Sequence, residues 1–372
     1  MTIINTSKAF VSLSEFRDLI DTFGSDITVL GFGEPGMAKS ATLSALAERY
    51  GDKWRQTGDY YPEDNYRYIY IDCTNEEIND RKMNMPRHDT RSIAAYLSDE
   101  FHMADGKPLI ILIDEYSKGP RMLQATWSRL MLDRIIGSAR LPAGSKVFAT
   151  SNHASDGIGD KIEAHSANRL MIVNVRKPNA AEFNKYAQSV GISDILRTWV
   201  MANKRCLASY LDGGQEDNEF IFNPTRSGAV SFVSPRSLSK SDIVVRKRDV
   251  MPDHLIEAAL AGLVGMAAAK SMVATFALDK DITPFAQVVK DPMGTPVPEN
   301  PTAQILMMVK GADQVETQDE LESFMQFVNR LPSFEVQQVF FVQMVTQTRT
   351  VLLARNNKTL TKWRLDNSEF IS

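Results

Sequence analysis

A glycine-rich segment, Gly31–Ser40, carries the residue types that bind phosphate. It reads Gly-Phe-Gly-Glu-Pro-Gly-Met-Ala-Lys-Ser and follows a short apolar run at 27–30. Glycines let backbone N–H groups approach phosphate oxygens, the lysine neutralises charge, and the hydroxyl can bind Mg²⁺. The segment therefore predicts a nucleoside triphosphate site. Its predicted contact residues are Gly33, Glu34, Pro35, Gly36, Met37, Ala38, Lys39, Ser40 and Ala41.

The same glycines leave a second interpretation open. Gly31, Gly33 and Gly36 also have the spacing of a dinucleotide-binding fingerprint. The Lys39–Ser40 pair favours the triphosphate, because a dinucleotide site needs neither group there. A phosphate loop usually has glycine before its lysine, whereas this chain has Ala38. We interpret Ala38 as a variant, since one methyl group at a helical position is sterically mild; the alternative is a glycine-rich turn without a ligand.

A second motif supplies two carboxylates. The apolar run Leu109–Ile113 ends in Asp114 and Glu115, which is the pattern of a buried strand with acidic residues at its carboxyl end. Ligands of open α/β sheets bind at that edge. Ser40 is predicted to hold Mg²⁺ directly and Asp114 to hold it through a water molecule, while Glu115 is predicted to orient and deprotonate the attacking water. Taken alone, such a strand end can also be an ordinary loop start.

Composition and charge limit the classes of partner. The chain has 372 residues, 43% of them hydrophobic, and a net charge of −4. Two cysteines, Cys73 and Cys206, exclude a disulfide scaffold and favour the cytoplasm. The acidic balance argues against a nucleic-acid partner. The most apolar stretch, 255–278, is interrupted by Glu257 and Lys270, so no membrane partner is predicted.

Alternating and apolar runs predict five strands with helical patterns between them, which favours a doubly wound, parallel, five-stranded sheet. The predicted strands are 27–30, 66–71, 109–113, 146–151 and 170–175. A helix is predicted from about Met37 to Tyr50, and capping boxes at Ser12 and Thr317 predict two further helix starts.

Strand patterns fade after Pro178, and the chain divides into four predicted regions. The first, 1–176, is an α/β nucleotide-binding core. The second, 177–281, is a mostly helical lid. The third, 282–301, contains five prolines and is predicted to be a linker. The last, 302–372, is predicted to be a helical C-terminal region.

The order of these motifs resembles that of the AAA+ ATPases. The phosphate loop, the Asp114–Glu115 strand, a strand ending at Asn152, then Arg169 and Ser234–Arg236 follow one another as in that family. The form Gly-Glu-Pro-Gly-Met-Ala-Lys-Ser is typical of its MoxR-like branch, and the match spans roughly residues 27–240. The resemblance implies an AAA+ core with an all-helical lid, bound ATP and Mg²⁺, and ATP hydrolysis.

Three further roles come only from the resemblance. Asn152 corresponds to the first sensor, which positions the attacking water, and Arg236 to the second sensor on the lid. Arg169 corresponds to the arginine finger that acts on a neighbouring subunit's nucleotide, a group worth ~10³ to 10⁵ in rate. The family more often has Asp-Arg-Phe around this arginine. Rival finger candidates are Arg121, Arg129 and Arg134.

An arginine that acts in trans requires a homo-oligomer, and the resemblance implies a hexameric ring. It also implies remodelling or maturation of a client protein, which in this family is often one with a von Willebrand factor A domain. Residues 75–88, with Met83 and Met85, lack an aromatic-hydrophobic-glycine pore signature. Two alternatives therefore stay open: a nucleotide-gated binding scaffold with incidental hydrolysis, and a DNA-handling AAA+ ATPase.

Overall fold

The computed structural model describes residues 10–49, 67–75, 82–101, 103, 106–153, 168–226, 231–347 and 349–368. Tyr50 and Tyr66, which belong to predicted elements, and residues 76–81 of the segment 75–88 lie outside this part of the chain. The molecule consists of two compact units. One comprises Met1–Lys177 with Asn223–Thr225, and the other comprises Pro178–Phe222 with Arg226–Ser372.

The first unit is built on a parallel sheet. The strands of this unit are β1 (Phe10–Val11), β2 (Val29–Phe32), β3 (Arg67–Asp72), β4 (Lys82–Arg87), β5 (Ser92–Leu97), β6 (Leu109–Asp114), β7 (Ile135–Ile136), β8 (Ala139–Arg140), β9 (Lys146–Ser151) and β10 (Met171–Val175). Six of them form the central sheet in the order β1-β10-β2-β9-β6-β3. Every pairing in it is parallel.

The prediction of a parallel α/β sheet is confirmed, but the predicted count of five strands is one too few. The extra strand is β1, a two-residue edge strand that pairs with β10. It is too short to show an alternating pattern, and its pairing partner lies more than 160 positions away along the chain. Nothing local in the sequence could therefore identify it.

Helices cover both faces of the sheet. They are α1 (Leu13–Phe23), α2 (Ala41–Arg49) and α3 (Arg121–Asp133). Successive side chains of β6 point to opposite faces. Ile110 and Leu112 share a buried cluster with Phe16 and Leu43 of α1 and α2, whereas Ile111 and Ile113 of the same strand share one with Trp127 and Leu130 of α3. Residues 109–113 of the strand are consequently all apolar, as the sequence indicated.

Two predicted helix starts, after Ser12 and after Thr317, are confirmed, and each has a complete capping box. At α1, Ser12 accepts from the backbone N–H of Glu15, and the Glu15 carboxylate accepts from the backbone N–H of Ser12. This reciprocal pair satisfies donors that would otherwise lack partners at the helix end. In contrast, α2 begins at Ala41, four residues later than predicted. The intervening residues form the phosphate-loop turn.

Between β3 and β6, the described part of the chain forms a β-hairpin. Strands β4 and β5 pair with each other in antiparallel register, Met83 opposite Tyr96 and Met85 opposite Ala94. Met83, Met85, Ile93 and Tyr96 are all exposed. The backbone turn at Gly137 lies against the β5 side chains Ala95 and Leu97.

The second unit is helical. Its helices are α4 (Ala180–Ser189), α5 (Asp194–Ala202), α6 (Pro235–Val245), α7 (Asp253–Val264), α8 (Met266–Leu278), α9 (Phe285–Lys290), α10 (Pro301–Gln314), α11 (Gln318–Val328), α12 (Phe334–Thr346), α13 (Val351–Asn356) and α14 (Lys358–Asp366). The proline-rich stretch 282–301 contains α9, whose Val288 is fully buried in a core with Phe324 and Phe340. A second core gathers α4 to α8 around Trp199 and Leu260. Among the described residues, no helix combines the length and the apolar character of a membrane span.

Candidate functional site

Lys39 lies at the centre of a polar cluster at the carboxyl edge of the sheet. Its ammonium group donates to the carbonyl oxygens of Gly33 at 2.6 Å and Glu34 at 3.0 Å. It also donates to Asn152 Oδ1, at 2.8 Å, although the two residues are 113 positions apart. The side chain is almost fully buried. The loop therefore curls around its own lysine, with the positive charge facing the end of strand β9.

Asp114 accepts hydrogen bonds from several elements. Ser40 Oγ donates to Oδ2 at 2.5 Å, and Tyr70 Oη donates to the same oxygen at 3.0 Å. Thr150 Oγ1 and the backbone N–H of Glu115 donate to Oδ1. These donors come from the loop, β3 and β9, so the carboxylate joins three parts of the site. The parallel register of β3, β6 and β9 brings them together.

Glu115 follows Asp114 in a left-handed backbone conformation, with φ +53° and ψ +36°. This region is unfavourable for residues with a side chain and persists where surrounding contacts enforce it. Asn152 Nδ2 donates to both carboxylate oxygens, at 3.2 and 3.3 Å. Lys118 Nζ lies 3.0 Å from Oε2. The amide of Asn152 thus connects the lysine of the loop to the carboxylate of Glu115.

The loop conformation corrects one expectation. Gly36 has φ +77° and Ala38 has φ +73°, so Ala38 is not at a helical position. An alanine there is strained, by roughly 1 kcal/mol, because its Cβ crowds the following carbonyl. Gly33 is required for a different reason: a Cβ on it would lie 2.3 Å from Met37 Sδ and 2.9 Å from Val175 O.

A buried ion pair lies beneath the loop. Glu34 Oε2 is 2.7 Å from Lys177 Nζ, and both side chains are at least 96% buried. Lys177 follows β10 and is the last residue of the first unit's main segment. Pro35 and Gly36 complete the turn after Glu34 and are half-buried.

His153 packs beside the cluster, stacked on the ring of Phe32 with 6.3 Å between ring centroids. Burial lowers its imidazole pKa below the ordinary value, and the positive charge of Lys39 lowers it further, whereas Glu34 acts in the opposite direction. The neutral imidazole is therefore favoured near neutral pH.

The predicted arginines belong to other elements than those that carry this cluster. Arg169 is exposed in the turn that precedes β10. Arg236 is exposed in the first turn of α6, which begins at a Ser234 capping box in the second unit. Among the rival arginines, Arg129 donates to Gly137 O. Arg134 donates to Thr28 Oγ1, Gly24 O and Met131 O, and burial lowers its pKa to about 10.

The oxygen groups of the site fit a magnesium ion. Mg²⁺ usually binds one or two protein oxygen ligands and completes its shell with phosphate oxygens and water. Ser40 and Asp114 supply one hydroxyl and one carboxylate in direct contact. Over the described ranges, no group of three or more His, Cys, Asp or Glu side chains is arranged to hold a metal ion. A magnesium ion here would take its further ligands from a bound phosphate and from water.

Sequence reasoning missed three contributors to the site. Tyr70 and Thr150 donate to Asp114, and Lys177 pairs with Glu34. Tyr70 and Thr150 lie near the carboxyl ends of predicted strands, so strand order and register would have brought them forward. Lys177 gave no signal, because it looked like an exposed lysine before a proline.

Comparison with known proteins adds little to this geometry. No protein-family model and no curated protein matches the chain. A solved structure of a candidate ATPase from Cytophaga hutchinsonii ATCC 33406 is 13% identical over 89% of this chain and 81% of its own, with a TM-score of 0.35. NtrX from Brucella abortus is 13% identical over 95% of this chain and 69% of its own, with a TM-score of 0.35.

Proposed function

We propose that this chain binds Mg²⁺ and ATP at the carboxyl edge of its sheet and hydrolyses the ATP to ADP and phosphate. We further propose that it does so as a ring-forming, MoxR-like AAA+ protein that remodels or matures a client protein. The observation that carries the proposal is the direct hydrogen bonding of Lys39 to Asn152, of Asn152 to Glu115, and of Ser40 to Asp114. These contacts join residues that the sequence separates by up to 113 positions.

The loop residues are suited to binding the phosphates. Lys39 provides a buried positive charge, and the turn Gly33–Ser40 leads into the N-terminus of α2, where the helix dipole favours anions. Ser40 and Asp114 would hold Mg²⁺, which supplies charge neutralisation for the phosphates when it is bound. Tyr70 and Thr150 fix the orientation of Asp114.

Glu115 is suited to the base role. Its carboxylate is about a quarter exposed, so a water molecule can reach it. In the proposed reaction it accepts a proton from the water that attacks the γ-phosphate. Asn152 holds the carboxylate through both oxygens and would orient the same water. We propose Arg169 and Arg236 as arginines that complete the pocket from a neighbouring subunit and from the helical unit.

Glu115→Gln tests the assignment. The amide keeps the size of the side chain but cannot accept the proton, so we expect ATP turnover to fall by about 10²-fold or more while ATP still binds. Turnover is measured by phosphate release and binding by competition with a fluorescent nucleotide. Asp133→Asn, at the end of α3, is a matched amide substitution outside the cluster and should leave turnover unchanged. Normal turnover in Glu115→Gln would refute the assignment of the base.

A nucleotide-gated scaffold is the second candidate. The exposed apolar side chains of the β4–β5 hairpin, Met83, Ile93 and Tyr96, favour a role in binding another protein. Under this alternative, nucleotide would control partner capture, and turnover would be undetectable in the assembled protein. The particle mass with and without Mg²⁺ and ATP, measured beside the rate of phosphate release, separates the two functions.

A further inference from the structure

The ion pair between Glu34 and Lys177 is the most completely buried pair of opposite charges in the described part of the first unit. Exposure is 4% for the Glu34 side chain and 2% for that of Lys177. No donor in this part of the chain makes a well-directed hydrogen bond to Glu34 Oε2, so charge attraction holds the contact. Burying an unpaired carboxylate is strongly unfavourable, and the partner lysine therefore matters to the loop.

Glu34 places a carboxylate within the proposed phosphate-binding loop. Its carbonyl oxygen accepts from Lys39, but the carboxylate itself lies against Lys177. A carboxylate in such a loop repels phosphate oxygens, and the repulsion grows with the number of charges on the ligand. The loop can hold a polyphosphate only if this negative charge is cancelled.

Strand β10 delivers the cancelling charge. Its last residue, Val175, places its carbonyl oxygen so close to Gly33 that a Cβ there would lie 2.9 Å away. Arg176 donates its backbone N–H to Val11 of the edge strand, which fixes the chain as it leaves the sheet. The side chain of Lys177, the next residue, then contacts the carboxylate of Glu34 in the loop. The contact thus depends on close packing between β10 and the glycine-rich turn.

We infer that Lys177 is a positioning residue that neutralises Glu34 and so makes the loop able to accept a polyphosphate. The inference depends on the proposed nucleotide function. Lys177 would therefore help the loop to select ligands by charge. Loss of the lysine should weaken the binding of ATP more than that of ADP, and the binding of ADP more than that of AMP.

The test measures dissociation constants of ATP, ADP and AMP, with Mg²⁺, for four proteins: wild type, Lys177→Met, Glu34→Gln and the double variant. Lys177→Met should weaken ATP binding by about tenfold or more, ADP binding by less, and AMP binding least. Glu34→Gln should bind ATP at least as tightly as wild type. The double variant should return ATP affinity to within about threefold of wild type, because neither charge remains.

The control is Lys146→Met. Lys146 pairs with Asp21 at 3.1 Å at the opposite end of strand β9 and is also mostly buried. Its loss should leave the ATP to AMP affinity ratio unchanged. If Lys177→Met fails to fold, the double variant decides: a folded double variant with wild-type ATP affinity supports the inference.

Two results would overturn the inference. One is an equal loss for ATP, ADP and AMP in Lys177→Met, which indicates a structural role alone. The other is a double variant that folds but stays as weak as Lys177→Met. In both cases the wild type still binds ATP and the proposed function stands. A wild-type protein that binds none of the three nucleotides would refute the proposed function and this inference together.

Discussion

The two edges of the central sheet both carry buried charged residues, but they use them differently. At the amino edge, Arg134 donates to Thr28 Oγ1 and to the carbonyls of Gly24 and Met131, and Lys146 pairs with Asp21. These contacts join α1, α3 and the strand starts. At the carboxyl edge, Lys39 donates to the amide of Asn152, and that amide donates to the carboxylate of Glu115, whose backbone is left-handed.

The difference distinguishes a structural cluster from a candidate reactive one. Each charge at the amino edge contacts backbone carbonyls, one hydroxyl group or a single acid, as expected for groups that satisfy buried polar atoms. At the carboxyl edge the charged and polar side chains instead contact one another: Ser40 contacts Asp114 directly, and the amide of Asn152 joins Lys39 to Glu115. Left-handed backbone does not separate the two edges, because it occurs at Glu115 (φ +53°) and also at Arg134 (φ +58°).

The comparison is tested most strongly by Lys39→Met and Arg134→Met. Loss of Lys39 removes the main positive charge of the loop, so ATP affinity should fall by about 10²-fold or more. The free energy of unfolding should fall as well, because the oxygens of Gly33, Glu34 and Asn152 lose a donor. Loss of Arg134 leaves buried oxygens without donors and should lower the free energy of unfolding by about 3 kcal/mol, with ATP affinity nearly unchanged. Nucleotide competition and urea unfolding measure the two effects.

Loss of ATP affinity in Arg134→Met would contradict the difference proposed between the two edges. If Arg134→Met lost ATP affinity while it stayed folded, the amino edge would contribute to the site. Arg129→Met serves as the control, because Arg129 is exposed and makes one long bond to Gly137 O. We expect it to change the free energy of unfolding by at most about 0.5 kcal/mol.

Ala38→Gly gives a smaller effect whose sign is informative. If Ala38 were helical, glycine would destabilise the protein by about 0.5–1 kcal/mol. At φ +73° glycine removes strain instead, so the free energy of unfolding should stay level or rise by up to about 1 kcal/mol. Ala125→Gly, on the exposed face of α3, is the matched control and should destabilise. Urea unfolding of both variants decides between the two conformations of the loop.

The smallest effect concerns pH. The folded-state pKa of His153 lies below its ordinary value of 6.5, so the unfolded chain binds its proton first as pH falls. This residue should therefore reduce stability as pH falls below about 6.5. We expect the wild type to lose more unfolding free energy than His153→Gln between pH 7.5 and 5.5. Equal losses in the two proteins would contradict this reasoning. Arg134, with its pKa near 10, does not titrate in this range.

Much of the site could be predicted from the sequence because its motifs are local. The phosphate loop and the Asp114–Glu115 strand end are each contiguous, and parallel strands bring their carboxyl ends to one edge. Strand β9 was predicted with the bounds that the structure gives it, Lys146–Ser151, which placed Asn152 directly after it. The apolar run of β6 was equally clear, since both of its faces are covered.

Other features depend on distant pairings that no local pattern reports. Ala38 was misplaced in a helix because a glycine-to-alanine change in the motif does not reveal the sign of φ. The partners of Asp114 on β3 and β9 follow from strand register, and Lys177 follows from the close approach of β10 to Gly33. The exposed hairpin β4–β5 gave no distinguishing pattern, because neither of its faces is uniformly apolar.

The amide of Asn152 has one orientation that its neighbours permit. Its oxygen accepts from the ammonium group of Lys39, and its nitrogen donates to the carboxylate of Glu115. Reversing the amide would place two donors together at Lys39 and two acceptors together at Glu115. Deamidation of Asn152 to aspartate would also break the contact with Glu115, because the new carboxylate would repel that of Glu115. A single hydrolysed amide could thus unlink the two halves of the site without disturbing the surrounding strands.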